Sequence, residues 1–191
     1  MTAEAFTEFC LVGIQSENDA SEVQYAGITE DITGIEFPEK DIEGMPLVNG
    51  GNVVKKTPST TGTITLKVYP IGIANDGTGV GQFLAGTVDA TDPFTVDLSL
   101  SRLRHKIVLV WAENLPATAG AVFATGNGDG YRITIVNAYC TSVKPSFDDK
   151  ILSAEVTFKY AAFQKDASPN MKQESTFVGT LPIVTATPTS L

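Results

Sequence analysis

Apolar and polar residues alternate with a period of two over much of the chain. Ile64, Leu66 and Val68 fall on one face and Thr63, Thr65 and Lys67 on the other; Val156, Phe158 and Tyr160 likewise oppose Glu155, Thr157 and Lys159. Val96, Leu98 and Leu100 against Thr95, Asp97 and Ser99 repeat the pattern. Each predicts a half-buried strand. The run from Lys106 to Trp111 carries apolar residues on both faces and predicts a strand covered on both sides. Arg132 to Val143 predicts one more long strand. Between Ile28 and Phe37 the apolar set changes parity, Ile28 and Ile32 giving way to Ile35 and Phe37. An extra residue near Thr33 and Gly34, a β-bulge, keeps both sets on the buried face.

Helical spacing is convincing in one interior stretch. Val80, Phe83, Leu84 and Thr87 stand at i, i+3, i+4 and i+7, with Asp76 and Thr78 as caps and Gly86 as the stop. Phe6, Phe9 and Cys10 share that spacing, yet Leu11 to Ile14 suits a strand equally well, so the pattern leaves that end open. The segment from Phe37 to Thr63 is long for a connection. Within it Pro46, Leu47 and Val48 and the pair Val53 and Val54 flank Asn49-Gly50-Gly51-Asn52, a strong turn signal for the tip of an extended hairpin. Pro46 and Pro58 mark its strands as edges. Apolar residues on such an arm seek a partner, which makes the arm a candidate assembly device. Residues 177–191, rich in Thr and punctuated by Pro182 and Pro188, read as a tail or swapped strand. The reading is a single domain over residues 1–191, mainly β, with an arm over 38–62 and a tail over 177–191.

Composition supports this. The chain has 191 residues, 42% of them hydrophobic and 18% charged, with 17 Gly and 10 Pro, which excludes a disordered chain and suits strands joined by tight turns. No apolar run approaches the roughly 20 residues of a membrane helix, and no membrane contact is expected. Charge is lopsided: of 22 acids, eleven lie in residues 1–43 against the single base Lys40, and the rest of the chain is balanced. With a net charge of −9 and no basic patch, adhesive or sequence-reading nucleic-acid binding is not expected, whereas a surface that DNA passes without sticking fits. The first thirteen residues, with Glu4 and Glu8 and no basic region, do not resemble an export signal.

Catalytic and cofactor chemistry is present only in fragments. Gly77 to Gly81 precedes the helix, but Gln82 stands where a dinucleotide loop needs its third glycine, and no Walker lysine follows. Gly126 to Gly130 lacks the spaced carboxylates of a calcium loop and reads as a hairpin turn, as do Asp148 and Asp149. Cys10 and Cys140 read as buried free thiols, and with His105 as the one histidine they make no zinc site. His105 sits among Arg102, Arg104 and Lys106, which would oppose its becoming imidazolium; that cluster reads as a solvated or interface patch. No enzyme, cofactor or metal is expected.

The order of features resembles the tail tube (major tail) proteins of tailed phages and archaeal viruses, whose fold is shared with the type VI secretion tube protein. The resemblance rests on the kinked strand, the arm Glu43-Gly44-Met45-Pro46-Leu47-Val48-Asn49-Gly50-Gly51, the strand Thr61 to Pro70, the helix Gly79 to Thr87, and Glu155 to Phe163 followed by Lys165 and Asp166. It implies a β-sandwich or barrel with one short flanking helix and a long hairpin arm. It further implies self-assembly into stacked six-membered rings that form a hollow virion tail tube, contact with other tail proteins, and viral DNA in transit without specific binding. The protein would reside in the host cytoplasm before assembly. The arm residues Met45, Pro46, Leu47, Val48, Val53, Val54, Lys55 and Lys56 would then reach a neighbouring subunit; Val80, Gln82, Phe83 and Leu84 of the helix would lie between subunits; and Glu30, Asp31 and Glu36 would belong to an acidic lumen.

Physics points the same way. An acidic front and a balanced remainder favour heterologous, head-to-tail contact, with Lys55 and Lys56 meeting acids of another subunit. Other virion components, namely a tail terminator, a baseplate hub or a capsid decoration, share sandwich folds and arms. In a different class stands a β-sandwich ligand-binding or adhesin module, for which Trp111 and the tyrosines would supply a sugar platform.

Overall fold

Residues 130–148 form the middle strand of the main sheet. The computed structural model describes residues 10–17, 19–24, 32–56, 58–68, 104–112, 130–148, 151–176 and 184. The strands among them are β1 (Cys10–Ser16), β2 (Asp19–Gln24), β3 (Ile32–Glu36), β4 (Ile42–Pro46), β5 (Asn52–Lys56), β6 (Gly62–Val68), β7 (Arg104–Ala112), β8 (Gly130–Asp148), β9 (Ile151–Tyr160) and β10 (Met171–Thr176). The main sheet runs β2-β1-β7-β8-β9-β6-β3 with β10 added on β8, every pair antiparallel, while β4 and β5 form a sheet of their own. This is the mainly β, sandwich-or-barrel class that the alternation predicts, in the form of one curled sheet with a hairpin arm. The helix over 80–86, the strand over 95–100, the turn at 126–129 and nearly all of the tail lie outside the described residues.

The strands follow from their side chains. Ile64 and Leu66 of β6 and Val156, Phe158 and Tyr160 of β9 are buried, whereas Glu155 and Lys159 are exposed. Burying Phe158 alone stabilises the fold by about 1.5–3 kcal/mol. In β7, residues 105–110 are all buried, so both faces are covered as the apolar run predicts. Leu11 to Ile14 resolves as strand β1, fully paired with β7. In β3 the register passes from Ile32 opposite Leu66 to Gly34 opposite Thr65, which makes Thr33 the extra residue of the expected bulge and sets Ile32 and Ile35 both against the core.

At nineteen residues β8 is too long to keep one parity on a curved core. Its members of the apolar cluster are Ile133 and Ile135, then Ala138 and Cys140, and Val143 packs on the same cluster. Two irregularities make this possible. Opposite β7 the register jumps from Ile107–Ile135 to His105–Ala138, and opposite β9 it slips between Cys140 and Ser142. Each inserts one residue and returns the next apolar side chain to the core.

At the first irregularity β8 changes neighbours. Gly130 to Ile135 pair with β10, and from Tyr139 onward the strand pairs with β9. The gap is filled by Asn170, which is buried. Its Oδ1 accepts from the Asn137 amide at 2.8 Å, and its Nδ2 donates to the carbonyls of Asn137 (2.8 Å) and Ala161 (2.9 Å). Its own carbonyl accepts from Val136 N at 3.0 Å, and its amide donates to Ala162 O at 3.0 Å. One side chain thus supplies the hydrogen bonds that a ladder would have made.

Next to this junction Arg132 is fully buried on the face away from the apolar cluster. Its Nη2 and Nε donate to Glu174 Oε2 at 2.6 and 3.1 Å, and Lys172 Nζ lies 2.6 Å from Glu174 Oε1. Burial pushes the Glu174 carboxyl upward, but the hydrogen bonds and charges of Lys172 and Arg132 outweigh that and hold it below its ordinary value.

The basic cluster is a correction. His105 and Lys106 are buried and Arg104 is half-buried, not a solvated patch. A strand with neighbours on both edges and cover on both faces leaves His105 and Lys106 no route to solvent, while Arg102 lies outside the described residues. His105 packs edge-on against Phe158 with ring centroids 5.6 Å apart. Arg104 donates to Tyr139 Oη at 2.8 Å and faces the Glu17 carboxylate at 3.8 Å, so one acid of the acidic front is used within the chain.

Replacing Asn170 by Ala removes three buried hydrogen bonds and is expected to cost about 3 kcal/mol, read as a lower urea midpoint. Because the folded Glu174 carboxyl is lowered, its contribution to stability is present above its unfolded value and is lost as pH falls through the folded one. Urea titrations of wild type and Glu174→Gln from pH 7 to pH 3 are therefore expected to differ most at pH 7 and to converge in acid; a gap constant with pH would contradict the ion-pair account.

Candidate assembly surface

The arm is a hairpin because of its tip. Gly50 has φ 82°, a left-handed conformation that glycine adopts without strain. Leu47 N donates to Gly51 O at 2.6 Å, Gly50 N to Leu47 O at 3.0 Å, and Asn49 Oδ1 accepts from Gly51 N at 3.2 Å. The turn pairs Pro46 with Asn52, Met45 with Val53, Gly44 with Val54, Glu43 with Lys55 and Ile42 with Lys56. Alternation divides these pairs between two faces. Ile42, Gly44, Pro46, Asn52, Val54 and Lys56 share one; Glu43, Met45, Val53 and Lys55 share the other.

Both faces carry apolar side chains and neither is covered. Ile42 is 64% exposed, Val54 58% and Met45 51%, and Leu47, Val48 and Val53 are exposed as well. A hairpin lying on its own domain would hide one face. The lysines stand at the root of the hairpin, away from the turn, with Lys55 opposite Glu43 and Lys56 opposite Ile42.

The root itself is fastened. Thr60 N donates to Glu39 O at 2.9 Å, and Glu39 N donates back to Thr60 Oγ1 at 2.9 Å. The Lys40 ammonium lies 4.7 Å from the centroid of the Phe163 ring. Phe163 belongs to the turn after β9, in which Asp166 accepts from Ser168 Oγ (2.6 Å) and N (2.9 Å); these bonds lower the Asp166 carboxyl. Tyr160 Oη donates to Glu36 O at 3.2 Å, and burial pushes its phenol up to about 12, so it stays a donor. The Tyr160 ring lies where a Cβ on Gly62 would be, and that Cβ would also come within 2.7 Å of Glu36 O, so only glycine fits.

Between these fastenings Ile35, Glu36, Phe37, Glu39, Thr60 and Thr61 line a cleft of about 550 Å³. Glu36 is exposed and its Oε2 accepts from Thr63 Oγ1 at 2.8 Å. Sequence patterning did not single out Glu39, Phe37 and Thr60 as a group; only the closing of the arm's root brings them together.

Of the other predicted residues, Glu30, Asp31, Val80, Gln82, Phe83 and Leu84 lie outside the described residues. Cys140 is a buried free thiol, in line with expectation; nothing is described of the Cys10 side chain. Trp111 packs half-buried on the core beside Tyr131, ring centroids 5.6 Å apart, which is not an open sugar platform. Among the described residues no group of three or more His, Cys, Asp or Glu is arranged to hold a metal, and no helix is long and apolar enough to cross a membrane.

No protein-family model and no curated protein matches this chain. Solved structures do. A chain of the anti-feeding prophage tube-terminating cap aligns with a TM-score of 0.54 at 11% identity, covering 92% of this chain and 94% of its own. A chain of the sheath/tube terminator of the PVC extracellular contractile injection system, in the extended state, gives 0.53 at 13% identity, covering 91% and 99%. A chain of the six-fold-symmetrised anti-feeding prophage baseplate gives 0.51 at 13%, covering 91% and 97%. At these identities the likeness is one of fold, and it spans nearly the whole of each chain.

Proposed function

We propose that this protein is a structural subunit of a viral tail tube, self-assembling into stacked six-membered rings through which DNA passes. One observation carries the reading: a hairpin arm projects from a sheet with a filled core and presents exposed apolar residues on both of its faces. A monomer gains nothing from such an element, whereas a subunit gains a contact. The fold shared with chains of contractile injection assemblies, one of them determined with six-fold symmetry, supports this reading.

In this account the arm, Met45 to Lys56, reaches a neighbouring copy. The segment with Val80, Gln82, Phe83 and Leu84 supplies a second contact between copies. Glu30, Asp31 and Glu36, from the acid-rich first 43 residues, face the channel and keep the DNA from adhering. Other tail proteins are the further partners, and the protein is a virion component that waits in the host cytoplasm before assembly. The likeness to chains of a cap and a terminator assembly favours a second reading, in which the subunit forms a closing ring rather than a repeating one.

Negative-stain electron microscopy with light scattering over a salt series tests this. Wild type is expected to form hollow tubes; Met45→Asp with Val54→Asp, both at exposed positions, is expected to keep its unfolding free energy within about 0.5 kcal/mol of wild type and to stay monomeric. Single rings that never stack would select the closing-ring reading. A wild type that is monomeric at every concentration would contradict both.

A further inference from the structure

The cleft at the root of the arm has a chemistry of its own. It combines Ile35 and the exposed ring of Phe37 with two carboxylates, Glu36 and Glu39. Neither carboxylate has an ion-pair partner among the described residues. The cation nearest in sequence, Lys40, is placed over Phe163. The cleft therefore offers apolar surface beside two uncompensated negative charges.

One face of the arm has the matching character. Ile42 and Val54 supply exposed apolar surface, and Lys56, directly opposite Ile42, adds a positive charge with no acid among its face neighbours. The other face does not need such an acceptor, because Glu43 stands directly opposite Lys55 and balances it. In the single chain Ile42, Val54 and Lys56 are all exposed, so this face is not seated in the chain's own cleft.

Resting on the subunit reading above, we infer that the Ile42–Val54–Lys56 face of one copy's arm seats in the cleft of a second copy, with Lys56 facing Glu36 and Glu39. Apolar area supplies the attraction and the charges set register and partner. Donor face and acceptor cleft are different surfaces, so the contact is heterologous and propagates from copy to copy. It also removes Glu36 from the residues assigned to the lumen.

The test is a mixing experiment. Lys56→Glu alone opposes a wild-type cleft, and Glu36→Lys with Glu39→Lys alone opposes a wild-type arm. In an equimolar mixture an array in which the two variants alternate has every contact complementary again. Each variant alone is expected to raise the concentration needed for assembly, followed by light scattering, at least about ten-fold. The mixture is expected to return close to the wild-type threshold. A mixture as defective as its components overturns the contact, as does either variant assembling alone at the wild-type threshold. If Glu36→Lys disturbs folding by removing the bond from Thr63, Glu39→Lys alone serves as the cleft variant, since only backbone atoms of Glu39 are hydrogen-bonded. A wild-type chain that never assembles contradicts the subunit reading itself, whereas a wild type that assembles beside an unrescued mixture contradicts only this pairing.

Discussion

The sheet depends on the hydrogen bonds of Asn170. Strand β8 contacts β7 along one edge and must change from β10 to β9 along the other, and at the changeover backbone groups would be left buried without partners. Such groups cost about 1–3 kcal/mol each. Asn170 meets both a donor and an acceptor of Asn137 and ties them to Ala161 at the end of β9. The turn that delivers it, Phe163 to Pro169, also receives Lys40 from the root of the arm. The same junction that closes the core therefore helps to aim the arm.

Much of this was legible in the sequence where side-chain parity carries the information. β6 and β9 announce themselves by alternation, β7 by its apolar run, and the bulge at Thr33 by the parity change from Ile32 to Ile35. The hairpin tip follows from Asn49, Gly50 and Gly51. β2 and β10 were not legible: DASEVQ and MKQEST are polar, and their positions are set by pairing with β1 and β8 rather than by a pattern of their own. The two bulges of β8 left a readable signal, since Ile135 to Ala138 and Cys140 to Val143 each change parity, but within one long strand that signal is easily passed over. Burial of Lys106 and Arg132 left none. A charge in a strand shows its cover only once the neighbouring strands are in place.

At the candidate site the sequence shows the arm and its apolar residues but not the acceptor. Glu36, Phe37, Glu39 and Thr60 come together because the arm leaves and re-enters the domain at one point, where the backbones of residues 39 and 60 are hydrogen-bonded. The lysines stand at the arm's root for a similarly plain reason: the turn residues fix the register, and the register puts Lys56 opposite Ile42. Exposed apolar residues on both faces of the arm and uncompensated acids beside it are local costs in a monomer. They make sense as halves of contacts completed in an assembly, where burial of the apolar area offsets them.

Hydrogen exchange of the backbone amides of residues 42–56, compared between dilute monomer and assembled protein, tests the central claim most directly. The account predicts fast exchange of the arm in the monomer and strong protection on assembly, with β8 and β9 protected in both. Arm amides that exchange equally fast in the assembled protein would contradict it.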